Sequence, residues 1–147
     1  LPARWFRVAA AQDDDGRAYA LAHSDDPRLA RLAVLDAAIN NSDRKGGHVL
    51  VGPDDRIYGV DHGICFHVED KLRTVLWGWS GRALPPDAVE VLGRLGGELD
   101  GSLGAALAVH LTRAEVAGLS ARVARLLADG RFPPPSEDWP AVPWPPI

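Results

Sequence analysis

Asn40-Asn41-Ser42-Asp43-Arg44-Lys45-Gly46-Gly47-His48-Val49-Leu50-Val51 is the stretch on which the reading of this chain turns. On its N-terminal side, Arg28 to Asn40 is rich in Leu, Ala, Val and Ile on nearly every face, the pattern of a buried helix. Asp26-Pro27 supplies its start, because Asp can cap the free N–H groups and Pro fits the first helical position. On the C-terminal side, His48 to Gly52 and Arg56 to Asp61 read as two short strands around the turn residues Pro53-Asp54-Asp55. A helix, a polar loop and a hairpin therefore follow one another. An acidic residue stands in each half, Asp43 in the loop and Asp61 at the end of the second strand. Phosphoryl-transfer sites are laid out in this manner, with one carboxylate orienting the nucleophile and another holding a metal on the phosphates.

The rest of the chain reads as scaffold. Trp5 to Ala11 and Ala18 to Ala22, with Asp13-Asp14-Asp15-Gly16 between them, predict a β-hairpin or loosely paired ribbon. Leu72 to Trp79 is expected to be extended or irregular. Pro85-Pro86-Asp87 opens a second helix running toward Leu95 and breaking at Gly96-Gly97, and Ser102 to Leu111 is a short third. Thr112-Arg113-Ala114-Glu115 is a capping box, after which Val116, Leu119, Val123, Leu126 and Leu127 form one apolar stripe. Gly130 sits where a helix C-cap glycine belongs. The proline-rich tail from Phe132 to Ile147 excludes a helix or a central strand, and its indoles, Trp139 and Trp144, are expected to pack on the helices. The class is α+β: a small β element beside a mainly helical body.

With 147 residues the chain makes one domain with a real core. A net charge of -4 argues against a nucleic-acid surface, which calls for a clustered basic face. No apolar run approaches the ~20 residues that cross a bilayer, so no transmembrane segment is expected. Cys65 is the sole cysteine, which excludes an internal disulfide and points to a reducing, cytoplasmic compartment. Methionine is absent, even at position 1, which suggests a chain that was processed or cut from a longer one.

Each candidate residue has a plainer alternative. Asp43 reads as a catalytic carboxylate that orients or deprotonates an attacking hydroxyl, or else as half of a solvated Asp-Arg pair in a helix-ending turn. Asp61, before His62-Gly63, suits a Mg²⁺ or Mn²⁺ ligand, or else caps a turn. His48 offers an imidazole nitrogen to the same metal, a ligand more at home with Mn²⁺ or Zn²⁺. Arg44 and Lys45 either contact a phosphate or face water. Trp77 and Trp79 line a pocket or simply pack. His62, Cys65 and His67 add metal-binding side chains nearby without matching a standard zinc spacing.

Asn41-Ser42-Asp43-Arg44 with His48 five residues after the Asp, followed by Val60-Asp61-His62-Gly63, resembles the phosphatidylinositol 3-/4-kinase-like group. The likeness is greatest to the type II phosphatidylinositol 4-kinases and the HipA-like Ser/Thr kinases, and Asp36 in the preceding helix suits the same layout. More narrowly, the chain looks like the C-terminal part of an actinobacterial kinase-like family. The resemblance implies a protein-kinase-like C-lobe over residues 1–131, opening with hinge-side strands, and a tail over 132–147 packed on it. It implies ATP with Mg²⁺ or Mn²⁺ as cofactor, Asp43 as the catalytic residue, Asp61 and His48 as metal ligands, and Arg44 and Lys45 near the nucleotide. His48 stands where those families place an Asn, which leaves a pseudokinase or non-catalytic binding module as the alternative. Nothing in Leu1 to Asp26 resembles the nucleotide-binding Lys strand of an N-lobe, so a missing lobe or partner chain is implied. The short segment between Asp61 and Pro86 favours a small-molecule phosphoryl acceptor over a protein.

Overall fold

A computed structural model describes residues 4–12 and 15–147. The chain forms strands β1 (Trp5–Gln12) and β2 (Ala18–Ser24), helix α1 (Pro27–Ile39), strands β3 (Val49–Val51) and β4 (Ile57–Gly59), and helices α2 (Pro86–Leu99), α3 (Ser102–Leu107) and α4 (Arg113–Asp129). Both sheets are antiparallel pairs, β1 with β2 and β3 with β4. The α+β class expected from the sequence is the observed one. The β1–β2 register runs from Trp5↔Ser24 to Gln12↔Ala18 with a bulge between Arg7 and Ala9. The turn residues Asp13 and Asp14 lie outside the described residues.

α1 begins as its sequence dictates. Asp26 accepts a hydrogen bond from the Arg28 N–H at 2.8 Å, and Pro27 occupies the first turn. It ends at Asn40, whose φ of 56° is left-handed and whose N–H returns to the Asp36 carbonyl. α1 packs on α4, and α4 on α2, around a core that includes Leu29, Ala33, Ala37, Leu92, Leu119, Val123 and Leu126. α4 carries the expected capping box: Thr112 Oγ1 accepts from the Glu115 N–H, and the Glu115 carboxylate accepts from the Thr112 N–H at 2.7 Å. Gly130 closes α4 at a φ of 60°.

Three expectations need correction. α2 does not break at Gly96-Gly97 but continues to Leu99. Tertiary packing overrides the roughly 1 kcal/mol cost of each helical glycine, and Gly96 lies on the face of α2 that meets Val123 of α4, where a Cβ would make ordinary van der Waals contact at 3.7 Å. The strands of the second hairpin are shorter than expected, because Gly46–His48 winds into a 3-10 turn and Asp61 lies beyond β4 at a φ of 56°. In the tail, Trp144 is 76% exposed and Trp139 39% exposed, so neither indole is packed away as expected; Phe132 and Pro143 are the residues the tail buries. The tail is pinned instead by its backbone: Ala141 O accepts from the Thr74 N–H at 3.0 Å and from the Trp77 indole N–H at 2.7 Å, and Pro146 O accepts from the Gly46 N–H at 2.8 Å.

Trp77 and Trp79 fall on a 3-10 turn and serve packing. Trp79 is buried, donates to Asp25 Oδ1 at 3.0 Å, and lies between the rings of Phe6, His23 and Phe132. Gly78 between them is required, since a Cβ there would collide with the Phe6 side chain.

Candidate functional site

The loop after α1 is built on a buried ion pair. Asp36 is the one acidic side chain among the buried residues of α1, and a charge in that position must find a partner. It finds Arg44: Nε donates to Oδ2 and Nη2 to Oδ1, both at 2.9 Å, and neither side chain is exposed at all. The remaining N–H groups of Arg44 are committed too. Nη1 donates to His48 O at 3.2 Å and to Val60 O at 2.7 Å, and Nη2 donates to His62 Nε2 at 2.9 Å. One guanidinium thus ties α1 to the 3-10 turn and to the exit of the second hairpin. The hairpin comes this close because residue 59 is Gly: a Cβ would lie 2.6 Å from Leu32 and 3.2 Å from Arg44 Nη2. The sequence expectation that Arg44 meets a phosphate is therefore corrected. Every donor of its fork is already used inside the protein.

Asn41 orients the loop from the other side. Its amide donates to Asp36 Oδ1 at 3.0 Å and its oxygen accepts from the Asp43 N–H at 3.0 Å. Asn40 holds the following segment, donating to His67 O and Glu69 O and accepting from the Lys71 N–H. These two amides and the Asp36–Arg44 pair are the parts that sequence reasoning underrated. The signal was present in Asp36, a carboxylate inside an otherwise apolar helix.

Fixing Arg44 inward turns its neighbours outward. Asp43 and Lys45 reach the surface with side chains 26% and 22% exposed, and form an ion pair at 3.7 Å. The Asp43 carbonyl accepts from His48 Nδ1 at 3.0 Å. A carbonyl only accepts, so Nδ1 carries the proton and the neutral ring keeps its lone pair on Nε2. That nitrogen faces Asp61 Oδ2 at 3.6 Å. The structure therefore makes two pairs near the surface, Asp43 with Lys45 and His48 with Asp61, linked through the Asp43 carbonyl, and leaves Arg44 buried behind them. His62 turns to Arg44 with Nε2 as the acceptor, which removes that nitrogen from the list of open ligands.

The donor set suits a divalent ion that takes part of its shell from elsewhere. A backbone-anchored Nδ1–H with a free Nε2 is how a metal-binding imidazole is usually oriented. Adjacent octahedral ligands at ~2.1 Å from a metal stand about 3 Å apart, somewhat closer than the His48–Asp61 separation, and the 59% exposed Asp61 side chain has room to close the difference. Among the described residues no group of three or more His, Cys, Asp or Glu side chains is placed to hold a metal, so the four protein ligands of a structural zinc site are not assembled there. Cys65 offers no ready thiolate, since burial, with the Asp36 charge adding to it, pushes its pKa up to about 11.

No protein-family model matches the chain, and no solved structure matches it. Protein Rv2133c of Mycobacterium tuberculosis (strain ATCC 25618 / H37Rv) is 47% identical over 141 residues, which cover 96% of this chain and 50% of that protein. The chain thus spans about half the length of this relative, whose name states no activity. No helix among the described residues is long and apolar enough to cross a membrane.

Proposed function

We propose that this chain is the catalytic lobe of an ATP- and divalent-metal-dependent phosphotransferase with a kinase-like C-lobe. The observation that carries the reading is the pairing of His48 Nε2 with Asp61 Oδ2 at 3.6 Å, with the His48 ring anchored through Nδ1 to the Asp43 carbonyl. Asp61 and His48 would hold Mg²⁺ or Mn²⁺, which when bound neutralises charge on the nucleotide phosphates. Asp43, fixed through its N–H by Asn41 and through its carbonyl by His48, aligns the acceptor hydroxyl. Lys45 is within reach of either Asp43 or a phosphate oxygen, so nucleotide binding would draw it from one to the other. The half of the relative that this chain does not cover has the length to supply a second wall of the nucleotide cleft. Asp43→Ala is expected to abolish phosphoryl transfer from ATP while leaving metal-nucleotide affinity within about twofold, as for a group acting only on the acceptor. Transfer that survives this change removes the assignment.

A second reading is a pseudokinase, and the side chain at position 48 favours it, since an imidazole stands there in place of the amide that the resemblance implies. His48→Asn separates the two. Faster turnover in the variant marks a decayed site, whereas loss of metal binding marks His48 as a working ligand.

A further inference from the structure

Away from the loop and hairpin lies a groove of about 990 Å³, bounded by the end of α1, the 69–72 segment, α4 and the start of the proline-rich tail. Arg122 of α4 forms part of its floor and is 4% exposed. Its Nε donates to Ala38 O at 3.0 Å and its Nη1 to His67 O at 3.1 Å. Nη2 is buried and has no hydrogen-bond partner. Both interactions that Arg122 does make are with neutral carbonyls, so the guanidinium has no carboxylate of its own. The nearest candidate is committed elsewhere: Asp70 is held by Arg125 at 2.8 Å. Burial holds the Arg122 pKa below the usual arginine value, with Asp70 opposing the shift and the like charge of Arg125 adding to it. A buried cation with open N–H donors is costly unless something satisfies it.

We propose that this groove binds a small, singly charged organic acid, whose oxyanion accepts from Arg122 Nη2 and whose apolar body lies against Phe132, Pro133 and Trp139. Arg122 lines the groove, and its unpartnered Nη2 is buried. Binding at Nη2 requires lining side chains to shift, and Arg125 and Asp70, also on the lining, are 53% and 56% exposed. Phe132 is buried at the wall, whereas Trp139 is 39% exposed with the Lys71 ammonium 4.4 Å from its ring centroid. The rim sets the charge limit. Glu69, Asp70, Asp129 and Asp138 outnumber Arg122, Arg125 and Arg131, which opposes any anion and opposes a dianion such as a phosphate monoester or a nucleotide most, so that the unpartnered Arg122 donor has to outweigh the rim for a single charge only. None of Asp43, Lys45, His48 and Asp61 lines this groove.

The test is titration of sodium benzoate and of phenyl phosphate into this chain, followed by calorimetry and by the arginine Nε–H resonances in NMR. Saturable benzoate binding with a shift of the Arg122 Nε–H signal is expected, with phenyl phosphate binding more weakly. Arg122→Gln should weaken benzoate by about tenfold or more, as for loss of a charge-assisted hydrogen bond. Trp139→Ala, a surface change, should weaken it about fivefold, as for loss of one aromatic contact, and decides the matter if the Arg122 variant does not fold. No saturable benzoate binding below about 10 mM overturns the proposal, that being the range where specific affinity is lost. Benzoate binding unaffected by both substitutions, or phenyl phosphate binding tighter than benzoate, overturns it as well.

Discussion

Arg44 directs all five of its N–H groups to partners inside the protein, two to Asp36 and three to His48, Val60 and His62 at the loop and hairpin exit. A lysine cannot reproduce that planar fork. Arg44→Ala leaves Asp36 buried and unpaired, and is expected to lower stability to urea by about 3–5 kcal/mol, the usual cost of stranding one member of a buried pair. Asp43→Ala should stay within about 0.5 kcal/mol of the parent, because a partly exposed ion pair contributes little. Near-equal effects of the two changes would contradict the assignment of Arg44 to structure and Asp43 to function. The sequence places Asp43 and Arg44 side by side and says nothing of which one turns inward; the long-range partner Asp36 decides it. Cys65 carries a second expectation at this scale. With its pKa at about 11 instead of the ordinary 9.0, its thiolate fraction at pH 8 is about a hundredfold smaller, so alkylation by iodoacetamide should be correspondingly slow. Alkylation at the rate of a free thiol peptide would contradict that burial.

At the scale of elements, what was legible was what is local. Asp26-Pro27 and the Thr112–Glu115 box mark helix starts because capping is settled by residues two or three apart. The end of α2 was not legible, since two glycines that weaken an isolated helix are outweighed by the face α2 lays on α4. Nor was the docking of the β1–β2 hairpin, which depends on a histidine far from the site. His23 is 8% exposed, donates from Nδ1 to Ser24 O at 2.9 Å and accepts at Nε2 from the Gly78 N–H at 3.0 Å. A proton on Nε2 would face another donor. Burial between Phe6 and Trp79 lowers the His23 pKa, against smaller opposing effects from the Ser24 carbonyl and Asp25. The folded state therefore resists a proton that the unfolded chain takes up near 6.5. The contribution of His23 is fully present above pH 6.5 and is lost as pH falls from there toward the lowered folded value. Urea unfolding at pH 7.5 and pH 5 should show this loss, and His23→Gln, which keeps an acceptor for Gly78, should reduce it. An undiminished acid loss in that variant would place the sensitivity elsewhere.

At the scale of the molecule, the helices and tail form a scaffold that presents one short hairpin and one loop. The tail contributes by closing over the segment from Thr74 to Trp77 through Ala141 and by meeting Gly46 through Pro146. The α+β class followed from the order of apolar periods in the sequence. The approach of His48 to Asp61 followed from spacing, because a hairpin returns the chain to the loop that precedes it. The buried hub that aims them did not, since its members come from α1, the loop and the hairpin exit. The account stands or falls on whether this site holds a metal-nucleotide. Calorimetric titration of Mn²⁺-ADP and Mg²⁺-ADP into the chain and into Asp61→Asn tests it most directly. The account predicts binding that requires the metal and is lost in Asp61→Asn. Absence of binding to the unaltered chain, or equal binding to both proteins, would contradict it.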